Sequence, residues 1–78
     1  MEKLLEIVNT IRLNKGQSVL EKLSPSDGLR RDLGFDSLDL AELTVRIEAE
    51  FGVDVFDDGV VSTVGETLEK ISNAQKRG

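Results

Sequence analysis

Between Met1 and Asn14 the apolar residues Leu4, Ile7, Val8 and Ile11 recur at i, i+3, i+4 and i+7, the spacing that gathers side chains on one face of a helix. Arg12 and Lys15 suit the negative end of a helix dipole, and Gly16 suits the position just past the last turn, so this helix is expected to stop near Asn14. A second periodic stretch begins at Asp36-Ser37 and runs to about Phe51. Asp36 is the N-cap candidate, Asp39 puts negative charge in the first turn, and Gly52 supplies the terminator. Asp57-Asp58 is expected to open a short third helix. The last helix is announced by Thr63 and Glu66, which have the spacing of a capping box, with Val64, Leu68 and Ile71 as its buried face.

Between the first two helices, residues 16–36 hold the turn-forming cluster Ser24-Pro25-Ser26-Asp27-Gly28, followed by Leu29, Leu33 and Phe35 as anchors into the core. This stretch reads as a long loop with room for one helical turn. Loops of that length inside a small domain tend to be functional, which draws attention to the place where it ends, Asp36-Ser37. No repeat, low-complexity tract, linker or strand of useful length is present. The expected fold is therefore all-α: a small antiparallel-type four-helix bundle with a long first loop and a short third helix, forming one domain over residues 1–78.

The second helix carries two apolar faces. At roughly 100° per residue, Leu40, Leu43, Ile47 and Phe51 fall within one arc of about 80°, which is the core face. Leu38, Ala41 and Val45 cluster in another arc centred roughly 145° away, so both sets cannot be buried against the same neighbours. Isolated surface apolar residues are ordinary. A small apolar centre flanked by the charges of Asp39 and Glu42 instead suits a docking strip for transient, electrostatically steered association. Arg46, four residues after Glu42, is spaced to pair with it and to blunt part of that acidic rim.

Composition narrows the chemistry. A chain of 78 residues has room for one modest core. It contains no Cys, His, Trp or Tyr, which excludes disulfides, imidazole catalysis and the usual zinc sites. Fifteen acidic against ten basic residues give a formal charge of −5, which speaks against a nucleic-acid footprint and favours partners with basic surfaces. No segment has the apolar length of a signal peptide core or a membrane span, so a cytoplasmic protein without stable membrane insertion is expected; it is also expected to be a monomer. Neither a catalytic residue nor a metal ligand set emerges.

The stretch Leu33-Gly-Phe-Asp-Ser-Leu-Asp-Leu-Ala-Glu-Leu, followed by Ile47-Glu-Ala-Glu-Phe-Gly-Val-Asp-Val, closely resembles the core of the acyl carrier protein family. Asp-Ser-Leu alone recurs by chance, but Leu33-Gly-Phe before it, the helix after it and its position in a chain of this length make the combination specific. The resemblance implies a four-helix bundle and a covalent 4′-phosphopantetheine, derived from coenzyme A, on Ser37. It also implies that Leu38, Ala41 and Val45, with Asp39, Glu42 and Glu48, meet the modifying and processing enzymes: a phosphopantetheinyl transferase, and loading, synthase or acyltransferase enzymes with basic docking surfaces.

Ser37 has no histidine to activate it, so it fits a substrate of modification better than a nucleophilic catalyst. Free backbone N–H groups and the helix dipole at an N-terminus favour a phosphate at that position. As a plain capping serine it would compete with Asp36 and leave the Gly-Phe-Asp-Ser-Leu context without a role. The implied function is an acyl carrier in fatty-acid, polyketide or specialised lipid biosynthesis. Arg46 and the Asp57-Asp58-Gly59-Val60-Val61 stretch depart from the strongly acidic carriers of primary fatty-acid synthesis and favour a dedicated carrier of a polyketide, lipid-modifying or ligase-associated system. An aminoacyl or peptidyl carrier loaded by an adenylating ligase stays open, as does an unmodified helical interaction module.

Overall fold

The amphipathic segments read from the sequence fold as three helices in a computed structural model that describes residues 2–55 and 61–77. Helix α1 spans Glu2–Asn14 and buries Leu4, Val8 and Ile11. It ends in a Schellman motif: the Gln17 amide donates to the Arg12 carbonyl at 2.8 Å and the Gly16 amide to Leu13 at 3.0 Å. Gly16 sits at φ 80°, the left-handed conformation that this closure requires and that glycine adopts without a Cβ clash.

Helix α2 spans Ser37–Phe51 and is stopped by Gly52 at φ 71°, whose amide bonds the Glu48 carbonyl. Leu40, Leu43 and Ile47 lie in the core, and Phe51 is half-buried against it. Helix α3 spans Val64–Arg77. Its capping box is formed: the Glu66 amide donates to Thr63 Oγ1 at 3.1 Å, and Glu66 Oε1 accepts from the Thr63 amide at 3.2 Å. Val64 and Ile71 are buried and Leu68 is half-buried. Thr67 is fully buried among them and satisfies its hydroxyl on the Thr63 carbonyl one turn back, at 3.0 Å, as a buried hydroxyl must.

The long loop between α1 and α2 is pinned from both sides. Leu23, Leu29, Leu33 and Phe35 insert into the core. Asn9 of α1 clasps the Leu20 backbone with both ends of its amide, at 2.9 and 2.7 Å. On the other side an isolated antiparallel bridge joins Gly28 to Thr63, with the Leu29 amide on the Ser62 carbonyl and the Val64 amide on Asp27, both at 2.9 Å. The first turn of α3 thereby closes onto the loop.

The described residues are thus all-helical apart from loops and that single bridge. The short third helix expected from Asp57-Asp58, and with it the fourth member of the bundle, falls outside the described residues. Among the described residues no helix is long and apolar enough to cross a membrane.

Candidate functional site

Buried Phe35 marks the point where the loop leaves the core, its amide bonded to the Leu29 carbonyl at 3.0 Å. The next residue, Asp36, adopts an extended conformation (φ −97°, ψ −174°) and caps α2. Its carboxylate accepts the Asp39 amide at 3.0 Å, while Asp39 Oδ2 accepts the Asp36 amide at 3.0 Å. Two orphan donors of the helix start are satisfied reciprocally. Ser37, the first residue inside the helix, is left exposed.

Two cations at the end of α1 hold this corner. Arg12 donates from Nη1 to the Leu33 carbonyl at 2.7 Å and from Nε to the Ser18 carbonyl at 2.9 Å. Lys15 donates to the Gly34 carbonyl at 2.8 Å and forms an ion pair with Asp39. Both were expected only as favourable charges near the helix dipole. Their tertiary role was missed because the groups they reach lie 6 to 24 positions further along the chain. Burial alone pushes the Asp39 carboxyl up, but the Lys15 ammonium and the Asp36 amide outweigh it and hold the carboxyl below the usual range.

Asp39 therefore needs correcting. The sequence places it on the exposed rim of the docking strip, yet its side chain is 9% exposed and its Oδ2 accepts from both Lys15 and the Asp36 amide. The physical reason is angular: at roughly 100° per residue, position 39 lies about 85° from the centre of the core face and about 125° from that of the strip.

The other strip residues lie where the projection separates them from the core. Leu38 is 78% and Val45 67% exposed, and Ala41 and Glu48 are exposed too. Glu42 is half-buried and accepts from Arg46 Nε at 2.7 Å. Glu42 and Glu48 stand on opposite sides of the apolar strip, about 65° and about 55° from its centre.

Ser37 Oγ accepts a hydrogen bond from Arg30 Nη2 at 3.1 Å. No signal in the sequence singled out Arg30. Beside it, the 28–31 segment, Leu40 and residues 61–63 line a cavity of about 270 Å³. Among the described residues no cluster of acidic side chains could hold a metal. With no histidine in the chain and a guanidinium, not a base, on its hydroxyl, Ser37 lacks the proton acceptor of a nucleophilic catalyst.

The model of the phosphopantetheine attachment site family matches residues 2–74. The chain belongs to the acyl carrier protein family. Acyl carrier proteins from two strains of Nitratidesulfovibrio vulgaris, one of them Hildenborough, are each 40% identical to it over 57 residues, covering 70% of this chain and 75% of the relative. Membership makes the chain a carrier and not an enzyme. Its prosthetic group is a covalently attached 4′-phosphopantetheine, and its partners are a phosphopantetheinyl transferase and acyl-handling enzymes. An exposed hydroxyl at a helix start, with backbone N–H groups and a guanidinium beside it, has the donor set that a phosphodiester needs.

Proposed function

We propose that Ser37 is the attachment point and that the chain, as one carrier domain over residues 1–78, presents acyl intermediates to successive enzymes as thioesters. The observation that carries this reading is the exposure of Ser37 at the first position of α2, within Asp36-Ser37-Leu38, on a corner held by Arg12 and Lys15. In the modification, Ser37 Oγ forms a new bond to phosphorus, the pyrophosphate bond of coenzyme A breaks with the nucleotide leaving, and the hydroxyl proton passes to the transferase. When attached, the arm supplies the terminal thiol that a chain without cysteine cannot, and holds its cargo at high effective concentration near a docked enzyme.

The chain's own residues do the rest. The Asp36–Asp39–Lys15 network fixes where the hydroxyl stands. Leu38, Ala41 and Val45 offer a small apolar contact beside it, and Glu42 and Glu48 steer a basic partner surface towards it. A dedicated lipid, polyketide or ligase-associated pathway fits the Glu42–Arg46 pair, which leaves the rim less acidic than in carriers of primary fatty-acid synthesis.

Incubation with coenzyme A and a broad-specificity phosphopantetheinyl transferase is expected to add one phosphopantetheine to the wild type by intact mass. The modified protein is then offered acyl and aminoacyl donors with their ligases. Loading with acyl groups supports the acyl carrier, whereas uniform failure with acyl donors and success with aminoacyl donors would replace it by the aminoacyl carrier. A folded wild type that stays unmodified would point to the plain interaction module.

A further inference from the structure

We propose that Arg30 is the residue that pairs with the phosphodiester of the prosthetic group, an ion pair formed only when Ser37 is modified. The inference rests on the reading of Ser37 as attachment point and goes beyond it by giving the bound group a partner in this chain.

Three observations support it. Arg30 reaches the very atom on which the phosphate would be built, with Nη2 at 3.1 Å from Ser37 Oγ. Among the described residues Arg30 forms no ion pair, whereas its neighbour Arg31 is engaged by Asp32 at 3.2 Å and Arg46 by Glu42. The guanidinium beside Ser37 is therefore available for an anion built on that oxygen.

The third observation concerns the charge already present at that corner. The Asp36 carboxylate occupies the cap and accepts the Asp39 amide. A phosphodiester on the next residue would bring a second anion close to it, in a chain whose formal charge is already −5. Opposite charge from Arg30 offsets that repulsion, and a guanidinium can donate to two phosphate oxygens at once. The first amides of α2 have no partner within the helix and add to the same anion. Arg30 also lines the cavity beside Leu40, so a paired phosphate would restrict the directions in which the arm leaves the surface.

The test uses wild type, Arg30→Gln and Arg30→Lys, each prepared unmodified and modified, with intact mass confirming the modification before anything else is measured. In the isolated modified wild type the phosphorus-31 resonance and the Arg30 side-chain nitrogen resonances should both move towards their unpaired positions as salt is raised, because an exposed pair is screened. Arg30→Gln should shift the phosphorus resonance at low salt and Arg30→Lys should shift it less. The change in thermal midpoint on modification should be more favourable in wild type than in Arg30→Gln by about 1 to 4 °C, as expected for one exposed ion pair in a domain of this size. A salt-insensitive phosphorus resonance in wild type, with the same midpoint change in Arg30→Gln, would overturn the pairing while leaving Ser37 as the attachment point. An unmodified wild type would overturn the underlying reading instead, so the two failures are told apart at the first step.

Discussion

A methyl group at position 65 would stand 2.9 Å from the Pro25 carbonyl oxygen, closer than real Cβ atoms come to backbone. The Gly65 amide donates to that same oxygen at 2.8 Å, so the bare glycine lets the first turn of α3 lie directly on the loop. Gly65→Ala should therefore destabilise, by about 1 to 3 kcal/mol for the forced shift, although alanine in an exposed helix is usually worth up to about 1 kcal/mol over glycine. A thermal melt checks the sign. Asp39 gives a second expectation at this scale. Its carboxyl is held below the ordinary value of 3.8 in the folded protein, so it contributes stability that is present above that value and is lost as pH falls through the lower folded value. Asp32 is lowered as well, by the Gly28 amide and then by Arg31, and adds to the same acid limb. Asp39→Asn should be less stable than wild type at pH 6 and should lose less on acidification from there to about pH 3. An equally steep acid limb in both proteins would count against the Lys15–Asp39 pair as the source.

The division of α2 into two faces is the prediction that belongs to an element. Leu43 is fully buried, and Leu43→Glu should destabilise by several kcal/mol because it places a charge in the core. Val45 is 67% exposed, and Val45→Glu should stay within about half a kcal/mol while impairing modification or downstream transfer. Circular dichroism melts paired with transferase kinetics separate the two behaviours. Should Val45→Glu leave every transfer rate unchanged, the strip is not a docking surface. This division was legible in the sequence because helix periodicity is a local rule, and Leu38, Ala41 and Val45 share an arc whatever surrounds them. The caps were legible for the same reason: Asp36, Gly52, Thr63 and Glu66 act within one turn of their own helix ends. Asp39 was misplaced because the first-turn charge rule says where a carboxylate is favourable, and not what it will face.

At the scale of the whole molecule, what could not be read are the contacts that join distant segments. Asn9 with Leu20, Arg12 with Leu33, Lys15 with Asp39 and the 28–63 bridge each depend on the loop folding back over the end of α1 and the start of α3. Nothing in the identities of Asn9 or Lys15 names those partners, and surface helices carry such residues with no tertiary role. Arg12 on Leu33 and Lys15 on Gly34 and Asp39 bracket the point where the chain leaves buried Phe35 and enters α2 at exposed Ser37. Arg30, likewise, is an ordinary loop arginine until the fold brings it to the serine hydroxyl. The central claim is that this corner exists to present one serine for modification. The most direct test is tandem mass spectrometry of the tryptic peptide spanning residues 32–46, in which Ser37 is the sole serine, after treatment of the folded protein with coenzyme A and a phosphopantetheinyl transferase. The expected result is one phosphopantetheine on Ser37 in wild type and none anywhere in Ser37→Ala; an unmodified wild type, or a modification that persists in Ser37→Ala, would contradict it.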